Sequence, residues 1–203
     1  MHSRGVNLDI ISLLKSRRTV RSFTNEPIKR EHIMEMIDCA RVSPSAANMQ
    51  SIKYSIVDSF DDRKAIFSHI KYAGYIPNWN PEFSESPVAY VAVLNDTDIR
   101  KTNGITECDC GIAMMSIVIS ATAMGIGSCI LGAIDKEAIR KILGIREQYD
   151  IMYLIGLGIS KQNNQQLDSD DSVKYILDES GNFLVPKRTL DNIMIKKGEI
   201  YNG

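Results

Sequence analysis

The sequence predicts a single α+β domain built on a mostly antiparallel central sheet flanked by helices. Helical and extended segments do not alternate as they do in regular βαβ units, which argues against a parallel sheet. A long uncharged stretch within residues 104–134 indicates one buried helix around which the remaining segments pack. The length of 203 residues fits one domain, so residues 1–203 are expected to form a single unit.

The first part of the chain predicts amphipathic helices, strands and two loops. Residues 7–15 and 33–40 place apolar side chains three and four positions apart, which is the spacing of amphipathic helices. Residues 43–50 are small and polar, as in a loop. Further along we expect a strand at 53–58, a helix at 59–70, a long aromatic connection at 72–86 and a buried strand at 88–94.

The central helix is predicted from residues 111–124, which are apolar or small on every face. A membrane span is rejected because Gly125 and Gly127 interrupt the run before it reaches the ~20 residues that a span requires. A helix that is apolar all round must be buried on all sides, either as a core helix or at a subunit contact. Two such helices packed about a twofold axis would satisfy both interpretations.

The last part of the chain predicts one capped helix and mostly extended segments. After a turn and a short extended piece, Asp135 caps a helix that Gly144 ends. A buried strand at 149–159 is followed by a polar surface loop at 161–172. The remaining expectations are a short strand at 173–177, a turn at 181–182 and an apolar piece at 190–195.

Composition and charge disfavour several classes of protein. A formal net charge of -1 gives no basic excess for a nucleic-acid backbone, and 44% hydrophobic residues are typical of a soluble globular protein. The first residues contain no apolar signal segment, so a cytoplasmic location is expected. The four cysteines include no C-x-x-C pair and the three histidines are scattered, so we expect reduced thiols and no metal site.

Residues 16–23 carry the first chemically distinctive pattern, a cluster of arginines. In an extended chain Arg17, Thr19 and Arg21 point to the same side. Two guanidinium groups and a hydroxyl on one side suit a phosphate or another compact anion. The alternative interpretation is a basic helix C-terminus that complements the helix dipole, and the residues alone leave both open.

Two loops are candidates for binding a ligand. The small side chains and amides of 43–50 would let a planar heterocycle approach the backbone, although a plain turn explains the same residues. The connection 72–86 is long enough for a lid, and an aromatic loop folded onto its own surface is equally plausible. The sequence offers no dinucleotide-binding glycine motif and no convincing set of catalytic side chains, so an enzyme would depend on a bound cofactor.

Four segments in order resemble the nitroreductase family of FMN-dependent enzymes. They are SRRTVRSF at 16–23, SPSAANMQ at 43–50, residues 109–132 and VPKR at 185–188. Each is weak alone, but their order and spacing around the apolar helix are similar to the family over nearly the whole chain. One feature departs from the pattern, because the Asn and Lys that some members place in mid-chain are not found at 78–88.

The resemblance implies a nitroreductase-like FMN-dependent fold that forms an intertwined homodimer. The central helices would pack across the twofold axis, and residues 185–203 would form a C-terminal arm that reaches the partner subunit. FMN would bind at the interface, with residues from both chains. Such a dimer would explain a helix that is apolar on every face.

The resemblance also implies the residues that bind FMN. Arg17 and Thr19 match the first binding strip, and Arg18 would contribute mainly through its backbone. Arg21 would lie near the pyrimidine edge of the flavin. The loop residues Pro44, Ser45, Ala46 and Asn48 would lie along the isoalloxazine, from the other subunit. The segment of Ile130, Leu131 and Gly132 would run under the ring and offer a backbone N–H to N5. Lys187 and Arg188 would hold the phosphate. No side chain is expected to be catalytic, since the chemistry occurs on FMN.

The implied reaction is a ping-pong transfer of hydride from NADH or NADPH to N5 of FMN, and then to a nitroaromatic, a quinone or a similar acceptor. Alternatives within the fold are a dehalogenase, a flavin-fragmenting enzyme or an azoline dehydrogenase, although a chain of 203 residues leaves little room for a large lid. Alternatives of another class are an FMN-binding module without turnover and a structural dimer without a ligand. A nucleic-acid-binding regulator is disfavoured by the charge.

Overall fold

The computed structural model describes residues 9–195, which form six α-helices and two β-sheets. The helices are α1 (Ile10–Ser16), α2 (Arg30–Arg41), α3 (Phe60–Phe67), α4 (Gly104–Ala123), α5 (Lys136–Leu143) and α6 (Leu190–Ile193). The strands are β1 (Ile52–Val57), β2 (Ala89–Asp96), β3 (Gly127–Leu131), β4 (Tyr149–Gly158), β5 (Gln165–Asp168), β6 (Ile176–Leu177) and β7 (Phe183–Lys187). Short 3₁₀ turns lie at Ala46–Asn48 and Phe83–Glu85.

The main sheet has four strands in the order β1-β2-β4-β3, and each neighbouring pair is antiparallel. This arrangement confirms the predicted α+β class with a mostly antiparallel sheet. A smaller sheet has the order β5-β7-β6, with β5 parallel and β6 antiparallel to β7. Phe183 of β7 packs in a core formed with the main sheet, so the smaller sheet lies against the main domain.

Helices cover both faces of the main sheet, so successive residues of β2 enter different cores. Val91 and Val93 pack with buried side chains of α2 and α4. Tyr90, Ala92 and Leu94 pack on the opposite face, with α3, α5 and the start of β7. The whole of β2 is buried because alternate side chains are covered from two sides.

The central helix α4 begins earlier than its apolar run predicts. Asn103 caps it, and Asn103 and Thr106 form a reciprocal capping box that starts the helix at Gly104. One face of α4 is buried within the chain, whereas Ile112, Met115 and Ile119 lie on a face that the described residues leave partly or largely exposed. By length and composition α4 also resembles a membrane span, but its buried face packs on the sheet as a core helix does.

In the second half of the chain, one prediction from the sequence is confirmed and another is partly wrong. Asp135 accepts a hydrogen bond from the N–H of Ala138, and Gly144 ends α5 with a φ of 62°, as predicted. The prediction of a surface loop over 161–172 is wrong at Gln165–Asp168, which form β5. All four side chains of β5 are exposed, so the strand has no apolar alternation and depends on backbone pairing with β7.

The ends of two predicted segments lie outside the described residues. The predicted first helix begins at residue 7 and the predicted arm ends at residue 203, whereas the structure describes 9–195. Within the described part, residues 185–187 pair with β5 of their own chain.

Candidate functional site

One cavity brings together the two basic segments of the sequence. Its volume is about 130 Å³ and its lining residues are Leu14, Lys15, Arg17, Arg18, Thr19, Arg21, Gln166, Val185 and Lys187. Five of these residues are cationic and none is acidic. The ion pairs formed among residues 9–195 include none of these five cations. A small cavity with an excess of positive charge suits a compact anion.

The first basic segment is extended and lies beside β3. The N–H of Val20 donates to the carbonyl of Ser128 at 2.9 Å, and Thr19 forms a parallel bridge with the same residue. The Arg18 guanidinium turns back and donates to the carbonyl oxygens of Lys15 and Arg17 at 2.6 and 2.9 Å. The helix-terminus interpretation therefore holds for the side chain of Arg18, although Arg18 lines the cavity together with Arg17 and Arg21.

Two amide side chains hold the basic segments in place. Asn164 is buried; its Nδ2 donates to the carbonyl of Thr19 at 2.8 Å and its Oδ1 accepts from the N–H of Phe183 at 2.7 Å. Gln162 Oε1 accepts from the N–H of Arg21 at 2.9 Å. Asn164 thus connects the first basic segment directly to β7, which carries Lys187 at its end.

Two features of its arginines describe the charge of the cavity. Burial, and then the neighbouring positive charge of Arg18, lower the pKa of Arg17. The Nη1 atom of Arg21 is buried and has no hydrogen-bond partner among the residues described. A buried donor without a partner is rare in folded proteins and is relieved when a ligand accepts from it. The residues present therefore fit an anionic group such as a phosphate.

The loop at 43–50 lies at a second cavity, of about 360 Å³, which Pro44 and Ser45 line. Its backbone is constrained, because Ala47, Asn48 and Gln50 have φ values of 52°, 53° and 52°. The residues that line this cavity and those that line the basic cavity do not overlap. One chain alone therefore does not bring this loop to the basic cavity.

A buried carboxylate fixes the same loop. Asp109 is 3% exposed, and its Oδ1 accepts from the N–H of Ala46 at 3.0 Å. Asp109 belongs to α4, so the loop is tied to the central helix. A loop with unfavourable φ values needs such contacts to keep its conformation.

The end of β3 forms the third predicted part of the site. Ile130 is 42% exposed, whereas Leu131 is 3% exposed and its side chain packs in the core. Gly132 lies at another cavity, of about 490 Å³, with His69 and Asp135. A Cβ at Gly132 would lie 3.2 Å from Cε1 of Tyr153, so the backbone there is closely packed on one side.

Comparison with known proteins identifies the family. The model of the nitroreductase family matches residues 14–159, well over half of the chain. The chain belongs to the nitroreductase family. A relative from Archaeoglobus fulgidus, provisionally named NADH dehydrogenase/NAD(P)H nitroreductase, is 26% identical and spans 80% of this chain and 92% of its own.

Two further similar proteins are informative. The FMN reductase (NAD(P)H) of Bacillus subtilis is 26% identical over 62% of this chain and 55% of its own length. The solved structure of an FMN-dependent nitroreductase from Clostridium difficile has a TM-score of 0.64 and 21% identity, and covers 76% of this chain and 90% of that chain. At that identity the structural likeness shows that the nitroreductase fold is shared.

The structure brings together some of the residues that the nitroreductase resemblance implies. The residues that share the basic cavity are Arg17, Arg18, Thr19, Arg21 and Lys187. Arg188 does not line it, and its Nη1 donates instead to Oδ1 of Asn192 at 3.4 Å. In one chain the other two groups, in the loop 43–50 and at 130–132, lie at separate places.

Sequence reasoning missed the amides that organise the cavity. Gln162, Asn164 and Gln166 lie in the segment that was predicted to be a surface loop. A run of five amide residues at 162–166 is the one signal in the sequence that points to them. Amide side chains are suited to tie backbone segments together because each can both donate and accept.

Proposed function

We propose that this protein is an FMN-dependent oxidoreductase that takes reducing equivalents from NADH or NADPH and passes them to a nitroaromatic, a quinone or a similar acceptor. The observation that carries the proposal is the cavity shared by Arg17, Thr19, Arg21 and Lys187. The names of the related FMN reductase and NAD(P)H nitroreductase support the choice of cofactor and donor.

The cavity matches the phosphate end of FMN rather than the whole molecule. Pockets that hold entire small ligands have volumes of about 300–1,000 Å³, and the basic cavity measures about 130 Å³. Cations suit a phosphate monoester, which carries about -1.5 to -2 charges at neutral pH. The flavin ring must therefore lie beyond the cavity.

FMN, when bound, supplies the exchange of electrons and hydride between donor and acceptor. Arg17, Thr19 and Lys187 bind the phosphate, and Arg18 keeps its guanidinium on the backbone of the first segment. Arg21 provides a fixed cation, which favours negative charge on a neighbouring ligand. The exposed backbone at the end of β3 offers hydrogen bonds without a bulky side chain at Gly132.

The working enzyme in this proposal is an intertwined homodimer. The partner subunit would bring its loop with Pro44, Ser45, Ala46 and Asn48 to the flavin, which one chain alone does not do. It would also cover the apolar face of α4 and the exposed Ile10, Ile11 and Leu14 of α1. Residues 185–203 remain the proposed C-terminal arm, with Arg188 as a proposed phosphate contact. A cytoplasmic location also stays a prediction.

The proposal is tested by the visible spectrum of the purified protein before and after anaerobic addition of NADH or NADPH. We expect flavin absorption bands that bleach with at least one nucleotide and return on addition of a quinone or a nitroaromatic. Flavin bands that neither nucleotide bleaches would favour a module that binds FMN without turnover. A protein that stays colourless after incubation with FMN would refute the proposed function.

A further inference from the structure

Arg21 differs from the other cations of the basic cavity in what surrounds its guanidinium. Its Cζ lies 4.9 Å from the ring centroid of Tyr175 and 4.7 Å from that of Phe183. The two rings are 5.5 Å apart and meet edge to face at 75°. The guanidinium thus lies in the corner of an aromatic pair, and Nη1 has no hydrogen-bond partner among residues 9–195.

Each ring of this pair is supported by a second ring from the long connection at 72–86. Tyr75 lies 5.1 Å from Tyr175, and the Tyr75 N–H donates to the Tyr175 hydroxyl at 3.3 Å. Trp79 meets Phe183 edge to face at 5.1 Å. The aromatic connection therefore packs against the pair that holds Arg21. Tyr175 and Phe183 both lie beyond residues 14–159, the part that matches the family.

We propose that Tyr175 is a positioning residue that holds the Arg21 guanidinium for the flavin ring rather than for the phosphate. This inference rests on the proposed function. An aromatic ring attracts the flat face of a guanidinium. The N–H groups at the edge of the guanidinium then remain free to donate to a ligand. The Arg21 backbone is fixed as well, since its N–H donates to Gln162. Because both the backbone and the guanidinium of Arg21 are held, the orientation of the side chain is set before the ligand binds.

The backbone on either side of Arg21 is fixed by two different parts of the chain, since the N–H of Val20 donates to Ser128 and the carbonyl of Ser22 accepts from the N–H of Lys161. The parallel bridge joins Thr19 to Ser128, but the segment then turns to the residues after β4, where Phe23 bridges Ser160. Burial raises the pKa of the Cys129 thiol, and the charge of Arg21 partly offsets that rise. Arg17 and Lys187, in contrast, have no aromatic ring holding their charged groups among the described residues.

The test compares the affinities of FMN and of riboflavin, which lacks the phosphate, for the wild-type protein and two variants of Tyr175. Tyr175→Leu removes the ring and is expected to weaken the binding of both flavins by a similar factor, about 3- to 30-fold. Tyr175→Phe keeps the ring and is expected to restore most of the affinity. Ile176→Ala is the matched control, because Ile176 is the next residue and is exposed, whereas the ring beside Arg21 belongs to Tyr175.

A second readout is the midpoint potential of the bound flavin in the same proteins, with thermal unfolding to confirm that each is folded. Tyr175→Leu is expected to lower the potential, because a less fixed cation stabilises the reduced flavin less. A loss confined to FMN would overturn the proposal, since Arg21 would then serve the phosphate. Unchanged affinities and potential would also overturn it while leaving the proposed function intact. Binding of neither flavin by the wild-type protein would overturn both.

Discussion

Arg17 and Lys187 line the same small cavity although they lie near opposite ends of the chain. We expect Arg17→Ala and Lys187→Ala each to weaken FMN binding by about 10- to 150-fold, because a hydrogen bond to a charged group contributes roughly 1.5–3 kcal/mol. Riboflavin binding should change little in either variant. Calorimetric titration with both flavins measures the difference.

The control for these two variants is Lys136→Ala, which removes an exposed lysine of α5 outside the cavity. It should bind FMN as the wild-type protein does. If Arg17→Ala and Lys187→Ala weakened FMN and riboflavin equally, the cavity would not be a phosphate site.

The buried amide of Asn164 should stabilise the fold as well as the site. Asn164→Ala leaves the carbonyl of Thr19 and the N–H of Phe183 without their partner, and each buried group left unpaired costs about 1–3 kcal/mol. Urea denaturation should show a loss of this order, with weaker FMN binding. Asn163→Ala, at the exposed neighbouring position, should have little effect on either quantity. Equal stability of the two variants would show that the amide contacts contribute nothing.

The contact between Gly158 and Phe23 should not tolerate an added methyl group. A Cβ at Gly158 would lie 2.9 Å from Cδ1 of Phe23, whose ring is fully buried and cannot move aside. We expect Gly158→Ala to lower the free energy of unfolding by about 1–3 kcal/mol. Gly74→Ala is the control, because its Cβ meets no atom within 4 Å. A Gly158→Ala protein as stable as the control would contradict this packing.

The apolar face of α4 should be required for formation of the proposed homodimer. Met115 is 41% exposed and lies with Ile112 and Ile119 along a groove between α4 and α2. Met115→Glu would bury a carboxylate in the proposed dimer contact, so sedimentation should show a monomer that has lost FMN affinity. Val173→Glu adds the same charge at an exposed apolar position outside this groove and should leave the assembly unchanged. A Met115→Glu protein with the wild-type mass would exclude this face as the contact.

Stability should decrease in alkaline solution because of a buried tyrosine pair. Burial raises the pKa of Tyr90 to about 12, and its hydroxyl lies 3.2 Å from that of Tyr72. The folded protein retains a phenol proton that the unfolded chain loses near pH 10, so stability falls as the pH rises from about 10 to 12. Urea denaturation should show a slope of up to roughly 1.4 kcal/mol per pH unit for this group, and a smaller slope for Tyr90→Phe. Stability that rises over this range would contradict the assignment.

Local patterns were enough to predict most of the fold. Helix α2 follows from apolar side chains at helical spacing, and α5 from its cap at Asp135 and its stop at Gly144. Strand β5 could not be predicted, because its exposed side chains carry no alternation and its pairing with β7 is a long-range contact. The start of α4 depends on a capping box at Asn103, which the apolar pattern does not contain.

The candidate site was predictable in its residue types but not in its construction. The arginines of 16–23 indicated an anion site, yet their convergence with Lys187 depends on Asn164, whose two hydrogen bonds span distant segments. The aromatic connection at 72–86 left two interpretations open in the sequence. In the structure its Tyr75 and Trp79 pack against Tyr175 and Phe183, so it is folded onto the protein surface beside Arg21.

The measurement that tests the central claim most directly is the affinity of the wild-type protein, freed of any bound flavin, for FMN and for riboflavin. If the basic cavity binds the phosphate, two charged hydrogen bonds should make FMN binding at least about 100-fold tighter than riboflavin binding. That preference should decrease as salt is added, because the contact is electrostatic. Equal affinities for the two flavins, or no affinity for either, would contradict the claim.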